Sequence, residues 1–420
     1  MESTRRRLIV SLLFFILIIC WCSSILSCNN NCSKISFVDQ KYNRTDEYDE
    51  ATDSTTQRQL SILALGGSKT YGSGVLDSET YVHQLGKLLN ATSDNLGIPA
   101  SGSEYPSSCI QSMLRDYHYS TTVNDEDIRY DVIVLEFSTN DSLDNLRDSL
   151  KVLARRIRTR YPNALMIYLH SYHFGIYLNL LKERNAHNQF IRDRNLAIKR
   201  AMKDVGGIVY SIPTPKSIRQ SSELRQWFMD DLHHFSTKGH LLIAKELEHI
   251  IKEEIDINQL DGGIGQVGSW GRGDKCYSWF QTGQVPSDIV LSGGTMASWP
   301  GAWHIQRNIP SKYAYEVSSS GIQLDFPAEE GARVYLNYMS IGKTQQYPSV
   351  HITGNGLSSR DLQPEKLPGD FHVTRTINLG RAEQDRITLS ITPIEVKELP
   401  FRLVGVASCP ACEDMAKARS

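Results

Sequence analysis

The chain of 420 residues has no excess of either charge. Its 45 Lys and Arg stand against 47 Asp and Glu, a formal net charge of −2. Binding a polyanionic backbone needs a basic surface, so nucleic acid is excluded as the expected partner. Beyond residue 26 no run is long and apolar enough to span a bilayer. No group of His, Cys, Asp and Glu has metal-ligand spacing: His170 and His173 follow an apolar run with no further ligand pattern. A phosphate-cradling glycine loop is also missing. Neither a metal nor any other cofactor is therefore expected. No internal repeat is present, and no long helical pattern appears after residue 265.

One long apolar run does occur, over residues 8–26. It approaches the ~20 residues that span a bilayer as a helix. Arg5, Arg6 and Arg7 precede it and should stay cytoplasmic. The expected arrangement is a cytoplasmic tail at 1–7 and a signal anchor or signal peptide at 8–27. A signal anchor makes a single-pass type II membrane protein with a luminal or extracellular body. A cleaved signal peptide and a secreted chain are the alternative. Residues 28–58 are polar, partly acidic and aperiodic, and read as a disordered stalk. Glycosylation sequons begin at Asn31, Asn43 and Asn90. A fourth, at Asn140, falls on the candidate site described below and is set aside. Of eight cysteines, Cys20 and Cys22 lie in the apolar run. Some of the others should be bridged in an oxidising lumen. Cys409 and Cys412 have CxxC spacing but sit in a polar tail (409–420), so a structural bridge, for example Cys276 to Cys409, is expected over a redox role.

From residue 59 to about 258 strand and helix patterns alternate. Expected strands are 60–65, 93–98, 130–136, 164–170 and 207–211, all near-continuous apolar runs, as buried parallel strands should be. Expected helices are 79–89, 143–159, 181–204 and 236–255. The implied fold class is α/β, a flavodoxin-like doubly wound parallel sheet. A linker with three glycines follows at 261–265. Residues 265–408 show short alternating runs at 313–317, 321–326, 333–339, 371–377 and 386–391, which reads as an all-β sandwich. Trp299, Trp303, Tyr335 and Tyr338 there read as core residues, with stacking on sugars as the other use.

The chemistry lies in three separated segments. Gly66, Gly67 and Ser68 follow the first apolar run. Ser138, Thr139, Asn140 and Asp141 follow the third. Asp231, Leu232, His233 and His234 precede the last helical pattern. Serine, histidine and aspartate are the parts that activate a hydroxyl nucleophile, and an asparagine at a strand end can donate to an oxyanion. The spacing Asp-x-x-His, then Ser-x-x-Gly, selects Asp231 and His234 over Asp230 and His233. His240 and Glu246 read as surface residues of the last helix. In a doubly wound sheet, sites form at the carboxyl ends of the strands, so Ser68 and Asn140 should emerge on one edge.

This ordered set resembles the SGNH (GDSL-type) hydrolase superfamily over residues 60–255, and its wording looks like a divergent eukaryotic, algal-like branch with a C-terminal β domain. The first block is usually Gly-Asp-Ser-x-Thr-x-Gly; here Gly67 replaces the aspartate. The Gly-x-Asn-Asp block here has Ser138 in place of glycine. The glycine that lends a backbone oxyanion donor aligns with Ala100, with Gly97 and Gly102 nearby. The resemblance implies Ser68 as nucleophile, His234 as base and Asp231 as its partner. It implies an oxyanion hole from the N–H groups of Ser68 and Ala100 and the side chain of Asn140. The expected activity is hydrolysis of an ester-bearing small molecule, acylated glycan or lipid through an acyl-enzyme. The alternatives are a glycan O-acyltransferase and an inactive glycan-binding surface protein.

Overall fold

The computed structural model describes residues 59–118, 128–175, 184–214, 222–255, 275–279, 285–299, 312–341, 347–364, 372–395, 397 and 399–410. The anchor, the stalk, the 261–265 linker, Trp303 and Cys412 lie outside them. Among the described residues no helix is long and apolar enough to cross a membrane.

In chain order the first part comprises β1 (Ser61–Gly66), α1 (Ser68–Tyr71), α2 (Tyr81–Leu89), β2 (Thr92–Gly97), α3 (Glu104–His118), β3 (Val132–Glu136), α4 (Leu143–Arg147), α5 (Ser149–Arg160), β4 (Leu165–His170), α6 (Arg184–Lys203), β5 (Ile208–Ser211) and α7 (Thr237–Glu254). The five strands form one sheet in the order β2-β1-β3-β4-β5, with every pair parallel. The order reverses between β1 and β3, and it is at that switch point that such sheets open a crevice. Alternate residues of the strands feed opposite faces. Leu63, Leu65, Ile133 and Leu135 pack with α3, α5 and α6. Ile62, Ala64, Val132 and Val134 pack with α2 and α7. Both faces are therefore covered, which is why the strands read as unbroken apolar runs.

Two departures from the sequence reading concern helices. The expected helix at 143–159 is two, α4 and α5, meeting at Asp148. Helix α3 was not expected at all, because Pro106, Ser107 and Ser108 interrupt its apolar pattern. Pro106 sits in the first turn, where a missing N–H costs no intrahelical bond.

The second part is antiparallel and holds β6 (Lys275–Ser278), β7 (Val290–Ser292), β8 (Thr295–Trp299), β9 (Lys312–Val317), β10 (Ile322–Pro327), β11 (Arg333–Ile341), β12 (Val350–Gly354), β13 (Leu357–Leu362), β14 (His372–Arg381), β15 (Arg386–Pro393) and β16 (Phe401–Cys409). One sheet runs β13-β12-β15-β10-β7. The other runs β14-β11-β16-β9-β8, with β6 paired to β16. Their inner faces enclose Trp279, Leu324, Phe326, Leu336, Leu389 and Phe401. Tyr335 and Tyr338 are buried here as core residues.

Strand β16 is buried at all nine positions. Phe401, Leu403 and Val406 face the sandwich core, while Val404, Ala407 and Cys409 face the core that also holds α3, α5 and α6. The pairing of β16 with β11 shifts register at Asn337/Tyr338, so Leu403 and Gly405 face consecutive partners and Val404 is the extra residue. This bulge changes which alternate residues point which way. The two parts thus share one continuous core. A disulfide crosses it: Cys109 of α3 is bonded to Cys276 of β6. The expected Cys276–Cys409 bridge is therefore not formed, although Cys409 is itself disulfide-bonded.

Candidate active site

Ser68 follows β1 directly. Side chains are excluded from the turn before it: a Cβ on Gly66 would collide with Thr70 Oγ1 and lie 2.6 Å from Glu136 O. Gly67 caps the single turn of α1 with extended backbone, and Gly72 closes that turn at φ +84. Ser68 is 7% exposed, at the floor of the site.

Asp231 and His234 come from a tight loop before α7. Phe228 and Phe235 form an antiparallel bridge at its base, and the N–H of Met229 donates to His234 O at 2.8 Å. Ser236 caps α7 by accepting from the Gly239 N–H at 3.0 Å. The Ser-x-x-Gly spacing is thus the helix start that holds the loop. Asp231 Oδ1 accepts the backbone N–H groups of His233 and His234 at 2.9 and 3.0 Å. Its Oδ2 accepts from His234 Nδ1 at 2.6 Å. His234 Nε2 then lies 2.9 Å from Ser68 Oγ. Burial works to raise the Asp231 carboxyl, but the bonds from the His234 ring and the two N–H groups outweigh it and hold it well below the usual carboxylate range. An ionised Asp231 fixes the proton on Nδ1 and leaves the Nε2 lone pair facing the serine.

The other expected residues meet at the same place. Asn140 follows β3, and its side chain lies over Gly67, where a Cβ would collide with Nδ2. One of its amide hydrogens is donated to Ser101 O at 2.9 Å; among the described residues the second has no acceptor. Ala100 has φ +60, a left-handed conformation rare outside glycine. Among the described residues neither the Ala100 N–H nor the Ser68 N–H has an acceptor. The neighbouring glycines serve space instead. A Cβ on Gly97 would lie 2.7 Å from Tyr71 Cα, and one on Gly102 would collide with Asp141 Oδ1.

His240 is a correction. It is fully buried, not on the surface. Its Nδ1 accepts from the Tyr81 N–H at 3.0 Å, and burial pulls the ring down to about 3. Asp230 is exposed and pairs with Arg225 at 2.9 Å. His233 packs against His173 with the rings tilted by 41° and their centroids 4.5 Å apart.

Several supporting contacts escape the sequence reading. Asp141 Oδ1 accepts the Ser103 N–H at 2.7 Å, tying the β3 turn to the loop that carries Ala100. Burial pushes its carboxyl up to about 7, against the bonds from Ser103. Arg194 of α6 donates to Ser138 O and, at 3.0 Å, to Asp141 O. Ser138, the glycine replacement, accepts the Ser171 N–H at 2.8 Å. Ser171 Oγ in turn donates to Glu136 Oε1 at 2.6 Å and accepts from Lys69 Nζ at 3.3 Å. Lys69 lies beside Ser68 yet is buried; its ammonium also donates to Tyr172 O at 2.7 Å and packs 4.9 Å from the Phe235 ring centre. Burial lowers it to about 7, with Glu136 and Asp231 opposing. A glutamate ending the otherwise apolar β3 was the one sequence signal for this pair.

Residues 64–242 match the GDSL-like Lipase/Acylhydrolase family. No curated protein matches the chain. Among solved structures it is similar to a two-domain esterase (CEX) active on acetylated mannans, co-crystallized with mannopentaose. That match has 16% identity and a TM-score of 0.53, and covers 84% of this chain and 91% of that chain. The same esterase without the sugar gives 16%, 0.52, 84% and 91%. A family two carbohydrate esterase from Clostridium thermocellum in complex with cellohexaose gives 16% identity and a TM-score of 0.36 over 48% of this chain and 66% of that chain. The first two likenesses extend over both the parallel sheet and the antiparallel part. Over residues 64–242 the chain is thus similar to the GDSL-like Lipase/Acylhydrolase family.

Proposed function

We propose that the protein is a serine esterase that removes acyl groups from glycans through an acyl-enzyme. The observation that carries this reading is the chain of contacts from Asp231 through His234 to Ser68, with Asn140 and two unengaged N–H groups around the serine. Ser68 Oγ attacks the ester carbonyl while His234 Nε2 takes its proton. Asp231 stabilises the imidazolium that forms. The N–H groups of Ser68 and Ala100 and the free hydrogen of Asn140 receive the carbonyl oxygen as it becomes an oxyanion. The imidazolium protonates the departing alkoxide, and water, deprotonated by His234, then releases the acid.

The glycan substrate class is supported by the likeness to a two-domain esterase active on acetylated mannans, which extends over most of both chains. A place in the secretory route is supported by the Cys109–Cys276 disulfide, since such bonds persist in oxidising compartments. In this reading residues 8–27 deliver the body to the lumen or exterior.

Ser68→Ala should lower turnover of p-nitrophenyl acetate and of acetylated mannan by at least about 10³-fold, and Ser68 should be the residue labelled by a fluorophosphonate. Undiminished turnover in Ser68→Ala would sink the assignment. Labelled Ser68 with no acid released from any acetylated glycan would sink the substrate class alone.

A further inference from the structure

We infer that strand β14 of the C-terminal part is a working piece of the oxyanion hole, through backbone contacts that position Ala100. This rests on the esterase reading above and assigns a role to residues more than 270 positions along the chain from Ala100 and Glu104.

Ala100 needs an external restraint. Its left-handed conformation at φ +60 costs a non-glycine residue of the order of 1 kcal/mol or more and persists only when the surroundings impose it. On the sheet side the loop is held by Asn140, which bonds Ser101 O, and by Asp141, which bonds Ser103 N–H. On the opposite side the restraint comes from β14. The Thr374 N–H donates to Ala100 O at 2.9 Å, and Ser101 and Thr374 form a parallel bridge. Two residues on, the Thr376 N–H donates to Glu104 Oε2 at 3.2 Å. Glu104 is the first residue of α3, directly after the loop, and is buried.

The strand is built for this. Among the described residues β14 is the outer strand of its sheet, paired within it to β11 alone. Thr374 and Thr376 are two apart, so both N–H groups leave the ladder on the side away from β11. An outer strand normally leaves such groups to water. Here they close on the segment that presents the Ala100 N–H. Helix α3 keeps the two surfaces in register: below Glu104, Tyr105 OH donates to Ser278 Oγ at 2.7 Å, Ser112 Oγ donates to Cys276 O at 3.0 Å, and Cys109 is bonded to Cys276. Freed from β14, the 99–101 peptides can relax, and the Ala100 donor moves off the position where the oxyanion forms. Substrate binding and the Ser68–His234–Asp231 contacts do not pass through β14. Its loss should therefore appear in kcat and not in KM.

The test is Thr374→Pro in the full chain. Proline removes the N–H given to Ala100 and no bond to β11, and proline is tolerated in outer strands on that side. Thr374→Ser, which keeps the N–H, is the control. With p-nitrophenyl acetate, Thr374→Pro should lower kcat about 10- to 100-fold with KM within about twofold. The inhibition constant of phenylboronic acid, whose serine adduct carries the oxyanion, should rise in parallel. Thr374→Ser should stay near the parent in all three. A folded Thr374→Pro with the parent's kcat overturns the inference and leaves the esterase reading standing. Equal losses in Thr374→Pro and Thr374→Ser also overturn it, since packing would then be the cause. Should Thr374→Pro not fold, Glu104→Leu against Glu104→Gln takes its place: only the leucine variant should show the kcat and boronate losses, and matching behaviour of the two overturns the role of β14. A parent enzyme inert to every ester, with Ser68 unlabelled, removes both readings together.

Discussion

At the scale of single residues, the departures from the usual family wording have structural uses. Gly67, where aspartate is usual, leaves room for the Asn140 carboxamide; a Cβ there would also lie 3.3 Å from Ser101 O. Restoring the usual residue with Gly67→Asp should therefore lower kcat on p-nitrophenyl acetate about tenfold by displacing the oxyanion donor, with Ser68 still labelled by fluorophosphonate; a faster variant would refute this placement. Ser138, where glycine is usual, anchors Ser171 and through it the buried Lys69 and Glu136. Ser68, Asn140, Asp231 and His234 were legible in the sequence because the proposed chemistry uses their side chains, and chemistry restricts residue type and local spacing. Thr374 and Thr376 were not, because what they give is a backbone N–H. Any residue but proline has that group, and Glu104 lies 272 positions from its partner.

At the scale of elements, α7 joins the site to the fold through a titratable core group. His240 accepts from the first N–H of α2, so its ring is neutral when folded, and burial holds it at about 3. The unfolded ring titrates near ~6.5. Between those values the unfolded chain binds a proton that the folded chain refuses. Stability therefore falls as pH drops through this window, by up to about 1.4 kcal/mol per pH unit for one ring. His170, also lowered to about 3 by burial, acts in the same sense. Asp141, raised to about 7, acts in the opposite sense as pH drops from 7 to about 4. The difference between the parent and His240→Asn isolates the ring. Urea midpoints from pH 7 to pH 4 should decline less steeply in the variant, and parallel curves would contradict the assignment. His240 was misread because a histidine in the first turn of an amphipathic helix has the same local pattern whether that face meets water or α2. Helix α3 was missed for a related reason. Its serines and proline look like a loop, yet Pro106, Ser107, Ser108 and Ser112 are all buried, and Ser112 Oγ donates to Cys276 O of β6.

At the scale of the molecule, the parallel sheet and the antiparallel part were both legible, from unbroken and alternating apolar runs respectively. Their fusion was not. It depends on β16, whose unbroken burial and bulge conceal the alternation that marks a half-exposed strand. One core across both parts implies one cooperative unit, with the Cys109–Cys276 bond as its covalent tie. Reducing that bond, or replacing both cysteines by serine, should lower stability by about 2–5 kcal/mol while heat unfolding keeps a single transition. Two resolved transitions in the reduced protein would show that the shared core does not couple the parts. The continuity also sets an order of events during synthesis. The residues that cover α3, among them Val404 and Ala407, leave the ribosome after every strand of the parallel sheet. Until they arrive, the first part carries a bare apolar flank with Cys109 exposed upon it. The growing chain has to be shielded there until its last strand docks.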